Sequence, residues 1–356
     1  MLTTETQRHG GPRGRRPAWA CILRFSVPLW FVLLCVLCPL RLSASQDTHL
    51  AVIVGLAGEV EHGELFRRWA GTLVDYASGR LAVPRERIIY LLEKPEQDTT
   101  RATGRSTKEA IDKALDTLAS TARADDTVFI VLIGHGTFDG KIAKFNLPGP
   151  DMTPADFASA LKRFNSKKVV FVNTASASGP FVEALAGPGR TIVTATRTGA
   201  ERFATLFGGY FVDALAGDAA DADKNRRVSV LEAFNAAKID VARAYEKQGI
   251  MVTEHPLLED GGDGEGSLEP SPQGKDGRVA AILSLGTPAS ALVLPDDPKL
   301  RQLYEERRAL EQRVESLKLL KAGMDPPKYA SELEKALTDL ALKTQQIRAV
   351  EGKQSK

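Results

Sequence analysis

Between residues 50 and 195, short apolar runs rich in Val, Ile and Leu alternate with stretches whose apolar residues recur every three or four positions. Continuous apolar runs suit strands buried on both faces, and the amphipathic stretches suit the helices that cross between them. The pattern predicts five strands: Leu50 to Leu56, Arg87 to Leu92, Thr127 to Ile133, Lys168 to Asn173 and Arg190 to Ala195. Helix starts fall between and after them. Ser106 with Glu109 reads as a capping box before Ala110 to Ala122, Thr153-Pro154 with Asp156 opens Ala155 to Phe164, and Ser229 with Glu232 opens a helix to about Gln248. The fold class is therefore α/β, a mostly parallel sheet between two helical layers, occupying residues 46–258.

Downstream the pattern changes twice. Residues 259–277 are dense in Gly, Asp, Glu, Ser and Pro and predict a flexible acidic loop. Residues 278–296 predict a returning strand, Arg278 to Leu285, and a Pro-containing connector. From 297 to 352, Leu300, Leu303, Leu310, Val314 and Leu317 recur at alternating spacings of three and four, with Arg307 in one seam position. Leu333, Leu337, Leu340 and Ile347 do likewise, and Gly323, Pro326 and Pro327 interrupt the two runs. Two helices of about five turns each, folded as an antiparallel C-terminal hairpin, follow from this. The hairpin reads equally as packing on its own domain or as a coiled-coil surface for a partner.

The first 45 residues read as an export signal. Arg8, Arg13, Arg15, Arg16 and Arg24 precede the apolar run Phe25 to Leu40, and Ser43-Ala44-Ser45 supplies a small-residue exit. The run is short for a membrane span and contains Pro28, so membrane attachment is expected only if the signal stays uncleaved. The expected location is periplasmic or secreted. All three cysteines, Cys21, Cys35 and Cys38, lie in this segment, so the remaining chain has no thiol for catalysis or disulfides. Of 47 basic and 45 acidic residues, six and one fall in the signal, leaving 41 against 44. That near balance lacks the clustered basic face of a nucleic-acid binder.

Ligands of an open parallel sheet sit beyond the carboxyl ends of its strands. Two strand ends carry unusual loops: Thr127 to Ile133 runs into Gly134-His135-Gly136, and Lys168 to Asn173 runs into Thr174-Ala175-Ser176-Ala177-Ser178-Gly179. Glycines on both sides of His135 allow a sharp turn that leaves an imidazole at a crevice and the Gly136 amide aimed at an anion. A structural histidine and a catalytic one fit this placement equally well. A strand ending in His-Gly, then a helix, then a strand ending in Ala-nucleophile-x-Ser-Gly resembles the catalytic layout of the legumain and caspase clan of cysteine peptidases. The similarity spans about Leu50 to Ala195.

That resemblance implies the three-layer caspase-like fold, His135 as general base or acid, the Gly136 amide as part of an oxyanion hole, and no required cofactor. It also places Ser176 where the family has its cysteine, with Ser178-Gly179 as the Ser-Gly end. An alcohol must lose its proton during attack, so a serine nucleophile ordinarily needs a carboxylate behind the histidine. Asp139 and Asp151 are the nearest candidates in sequence, and both also fit turn positions. Arg67, Arg68, Arg197 and Arg202 lie in the neighbourhoods where the family places substrate pockets.

One further motif stands apart. Asp221, Asp223, Asn225, Ser229 and Glu232 match positions 1, 3, 5, 9 and 12 of a calcium loop, and Arg227 offers its carbonyl at position 7. Arg226 replaces the position-6 glycine, and Ser229 with Glu232 already serves as a helix cap, so a Ca2+ site and a capped turn both remain open. Asp260-Gly-Gly-Asp263-Gly-Glu265 reads as a second calcium candidate or as solvated loop. His49, His62, His135 and His255 show no paired spacing for zinc, and no Gly-rich phosphate loop occurs. Two functions follow: a catalytically silent binding or scaffold protein presenting its crevice or hairpin to a peptide or protein partner, or a hydrolase using Ser176 and His135.

Overall fold

The computed structural model describes residues 47–166, 168–286, 297–321 and 324–354. The expected signal at 1–45 and residues 287–296 of the expected connector lie outside them. β1 (Thr48–Val54), β2 (Ile88–Leu92), β4 (Thr127–Ile133), β7 (Lys168–Asn173) and β8 (Arg190–Thr194) are the five predicted strands, displaced by no more than two residues at any end. The sheet also takes in β3 (Gly104–Arg105) and β9 (Leu257–Glu259), in the order β3-β2-β1-β4-β7-β8-β9. Every neighbouring pair is parallel except β8 and β9.

Successive side chains of a strand point to opposite faces, and here both faces are apolar. On one, Leu50, Val52, Val131 and Val172 pack under α1 (Val60–Asp75), α5 (Phe207–Ala216) and α6 (Val230–Gln248). On the other, Ile53, Ile130, Leu132 and Phe171 pack under α2 (Lys108–Thr121), α3 (Pro154–Leu161) and α4 (Phe181–Leu185). The expected three-layer architecture results. Chain order runs outward from β1 in both directions, to β2 on one side and β4 on the other, so the sheet's switch point lies between β1 and β4.

Two of the three predicted caps form as read, the boxes Thr153–Asp156 and Ser229–Glu232. The third is displaced by one residue. Thr107 caps α2 through the Ala110 amide, while the Ser106 hydroxyl is buried without a partner. Residues 278–285 do not return as a strand; they form turns and touch the fold through an isolated bridge between Ser284 and Ser229. The antiparallel edge comes instead from Leu257–Glu259, just three residues long.

The acidic loop at 259–277 is also more fixed than its composition suggests. Asp276 accepts the Asp260 and Gly261 amides, Asp260 accepts those of Gly277 and Ala280, and Glu259 those of Gly262 and Asp263. Lys275 holds Asp263 and Glu265 at 2.7 and 2.8 Å, so a built-in ammonium already answers the second calcium candidate's carboxylates.

At the C-terminus α7 (Pro298–Leu320) and α8 (Pro326–Gln354) pack as an antiparallel hairpin. The pairs Arg313–Glu332 and Tyr304–Glu351 fix the direction, because the residue numbers rise on one helix as they fall on the other. Val314, Leu317 and Ala336 form the seam. Leu337, expected there, is 47% exposed because Ala336 takes the inward position. Replacing Phe171, enclosed by Phe157 and Phe181, with alanine is expected to cost about 3–5 kcal/mol in urea unfolding, whereas Leu337→Ala should stay within about 0.5 kcal/mol.

Candidate active site

The register of β4 against β7 pairs Thr127 with Lys168 and Leu132 with Asn173. Carried past the strand ends, that offset sets His135 level with Ser176 at the carboxyl edge of the sheet. Beyond His135 the chain turns into a small hairpin, β5 (Gly136–Phe138) and β6 (Ala143–Phe145), which presses Gly136 against the Ser176 backbone. A Cβ on Gly136 would lie 2.2 Å from the Ser176 carbonyl oxygen and 3.0 Å from that of Lys144, so only glycine fits.

Ser176 is 3% exposed. Its hydroxyl donates to the Gly136 carbonyl at 3.0 Å and accepts from the Gly136 amide at 3.2 Å. The alcohol is thus satisfied in both directions by one backbone residue. Among the described residues no hydrogen bond joins Ser176 to His135. The Gly136 amide, expected to face a developing oxyanion, points at the serine oxygen itself.

The turn carrying Ser176 is held from several sides. Thr174 bonds the Leu132 carbonyl through both its amide, at 3.0 Å, and its hydroxyl, at 2.9 Å. Ala177 has φ of 54°, a left-handed conformation costing an alanine about 1 kcal/mol, and its amide donates to the Glu201 carbonyl at 2.8 Å. The Ser178 hydroxyl accepts the Ala195 and Thr196 amides at 3.1 and 3.2 Å, and the Gly179 amide donates to the Thr196 hydroxyl. The Ser-Gly end of the motif therefore ties the turn to the end of β8. Gly179 lies so close to it that a Cβ would meet the Arg197 carbonyl at 2.2 Å.

Neither candidate aspartate stands behind the histidine. Asp139 is a turn residue accepting the Lys141 and Ile142 amides, which hold its carboxyl below the usual range, the Ile142 bond contributing most. Asp151 accepts the Leu147 amide at 3.0 Å. His135 instead meets aromatic rings of α1: its centroid lies 4.7 Å from that of His62 and 5.1 Å from that of Phe66. The isolated spacing of the histidines in sequence conceals this meeting. Burial lowers the His135 pKa first and the His62 charge lowers it further, while a hydrogen bond with the Ala57 backbone and the charge of Glu59 oppose them.

Of the four candidate arginines, Arg67 reaches Gln97 at 2.8 Å in an adjoining cleft of about 420 Å³ beyond the ends of β1 and β2. Arg68, Arg197 and Arg202 are exposed. Glu254 and His255 serve the frame around the site. The buried Glu254 carboxylate accepts the Leu206 and Phe207 amides at the start of α5, and His255 pairs with Glu201 at 3.3 Å. Thr196, Glu201 and Glu254 carry no motif, and the sequence offers no signal that would single them out.

At the calcium motif, oxygens of Asp221, Asp223 and Glu232 lie within 4.8 Å of one another. Arg226 adopts φ of 68°, the left-handed turn ordinarily assigned to glycine. Asp221 accepts the Asn225 and Arg226 amides, Asn225 the Arg227 amide, and Glu232 those of Ala222, Asp223 and Ser229. Burial raises the Asp223 pKa, opposed by the Asn225 amide and reinforced by the charges of Glu232 and Asp221.

His135 also leaves a signature in stability. Its folded pKa lies below the ordinary 6.5, so the unfolded chain takes up this proton more readily. Its contribution is a loss of stability that sets in as the pH falls through 6.5 and levels off below the folded value. Comparing urea unfolding at about pH 7.5 and about pH 5.5, His135→Asn should shrink the difference seen in the unaltered protein.

Residues 103–257 match the model of the Peptidase C13 family, a stretch that begins at β3, ends at β9 and includes His135, Gly136 and Ser176. No curated protein matches the chain. Among solved structures, a secreted C11 cysteine protease from Bacteroides thetaiotaomicron, in complex with an irreversible peptide inhibitor, aligns at 14% identity with a TM-score of 0.33. The alignment covers 55% of this chain and 60% of that one. Residues 103–257 are thus similar to the Peptidase C13 family.

Proposed function

We propose that this protein is an exported caspase/legumain-like domain that is silent as a cysteine peptidase and works by binding a peptide or protein partner. The observation that carries the reading is the Ser176 hydroxyl, which donates to the Gly136 carbonyl at 3.0 Å, 3% exposed, with no hydrogen bond to His135 among the described residues. An alcohol becomes a nucleophile when a base within hydrogen-bond reach removes its proton. Here that proton is directed at a carbonyl, and the histidine is backed by rings rather than by a carboxylate. The cleft beside α1 and the exposed Leu337 and Leu342 of α8 supply surfaces for a partner.

The rival reading, a Ser176/His135 peptidase or esterase, draws support from the shared level of the two residues and from the nearby Gly136 amide. Peptide hydrolysis separates the two. Unaltered protein is expected to match Ser176→Ala at background turnover. Ser176→Cys, whose thiol ionises far more readily than an alcohol, should gain alkylation at position 176 that is lost in the double variant with His135→Ala. Turnover by unaltered protein that vanishes in Ser176→Ala would establish the hydrolase instead.

The loop Asp221 to Glu232 is a second proposed feature, a Ca2+ site that orders the start of α6. Its support is the convergence of three carboxylates together with the left-handed turn at Arg226. Binding to the folded state alone raises the melting temperature. Millimolar Ca2+ should therefore raise the Tm of the unaltered protein and leave Asp221→Asn/Glu232→Gln unmoved; no rise in the unaltered protein would leave the loop as a self-satisfied cap.

A further inference from the structure

The last strand of the sheet, β9, ends in a carboxyl group shut away from water. Glu259 pairs across β8 with Ile192, on the face that also buries Leu257, and is 0% exposed. Its Oε1 accepts the Gly262 and Asp263 amides, while Oε2 is buried without a hydrogen-bond partner. From the other end of the loop, the buried Asp276 accepts the Asp260 and Gly261 amides, each at 3.1 Å. Four successive amides, 260 to 263, are thus divided between two buried carboxyls, which makes the two groups neighbours. Among the described residues no lysine or arginine bonds either one. Lys275, the only basic residue from 259 to 277, reaches Asp263 and Glu265 instead. Asp260 is taken up by the Gly277 and Ala280 amides. On the packed neighbours, Arg190 of β8 donates to the Leu185 carbonyl at 2.9 Å, Glu183 of α4 is exposed, and Lys238 of α6 holds Glu269.

We propose that Glu259 is a proton-held latch: protonated, it keeps the loop from 259 to 280 closed against α4, and ionised, it lets the loop open. A neutral carboxyl is buried at far smaller cost than a carboxylate, which needs a counter-ion or donors on both oxygens. Here one oxygen has neither, and Asp276 sets a like charge beside it. Burial holds the Glu259 pKa above its ordinary 4.5, the Asp276 charge adds to this, and the Gly262, Asp263 and Gly264 amides oppose it. Opening returns the group to water and to its ordinary value. The stability of the closed loop is therefore fully present below pH 4.5 and is lost as the pH rises through the folded value. The latch braces the candidate site. A Cβ on Gly264 would meet the Glu183 backbone at 3.4 Å, and one on Gly266 the Val182 side chain at 3.3 Å, so the loop lies against α4. That helix starts two residues after Gly179, where the Ser176 turn ends.

The inference does not require Ser176 to react, and it stands or falls apart from the scaffold reading. Hydrogen exchange in the full chain reads the loop directly, through the protection factors of the amides of residues 260–263 and 277, which remove the intrinsic pH dependence of exchange. From about pH 5 to about pH 7.5 these should fall in the unaltered protein, by up to about tenfold per pH unit until the closed loop itself gives up the proton. Glu259→Gln keeps the acceptor oxygen and cannot ionise, so its protection should stay level over the same range. Level protection in the unaltered protein overturns the proposal, as does an undiminished fall in folded Glu259→Gln. The first of these outcomes needs no variant, so the test holds even where the substitution destabilises the fold.

Discussion

The site rests on a reciprocal hydrogen-bond pair between a side chain and one residue of backbone: Ser176 Oγ gives its proton to the Gly136 carbonyl and takes one from the Gly136 amide. The parallel register of β4 and β7 brings the two loops level, and the absence of a Cβ on residue 136 lets them close to hydrogen-bond distance. Both partners lie just past the ends of β4 and β7, where the main sheet no longer ties one segment to the other. This contact takes over that task. A hydroxyl is well suited to it, since it donates and accepts at once and so leaves neither Gly136 group unpaired in a buried setting.

A ring of further bonds surrounds the pair. Thr174 secures the start of the turn to Leu132, Ser178 and Gly179 secure its end to Thr196, and Glu201 receives the Ala177 amide and pairs with His255. Glu254 then anchors the following helix through two amides. Ala177 can stay in a left-handed conformation because these bonds fix the residues on both sides of it. The turn around Ser176 is thereby maintained by structural bonds that do not depend on a thiol.

Much of this was legible in the sequence because it rests on period and punctuation. Apolar runs located β1, β2, β4, β7 and β8, and the boxes at Thr153 and Ser229 located two helices, since a strand buried on both faces and a capped helix each leave a local pattern. Elements without such a pattern escaped: β9 is too short to show a period, and residues 278–285, apolar enough for a strand, are held as turns by Asp260 and Ser229. The acidic loop looked unstructured because composition does not reveal which amides its carboxylates will find. His135, Gly136 and Ser176 were legible as a motif, but the direction of the serine hydroxyl and the meeting of His135 with His62 depend on how distant segments pack. Leu337 shows the same limit on a small scale, since the heptad count could not distinguish it from its neighbour Ala336 as the inward residue.

The central claim is that the Ser176 alcohol is a structural donor and not an activated nucleophile. A fluorophosphonate probe, which forms a covalent bond with activated serines, tests it most directly when the folded protein is labelled and the modified residue is located by mass spectrometry. The account predicts no labelling at Ser176 above the level seen in His135→Ala. Stoichiometric labelling of Ser176 that disappears in His135→Ala would contradict it.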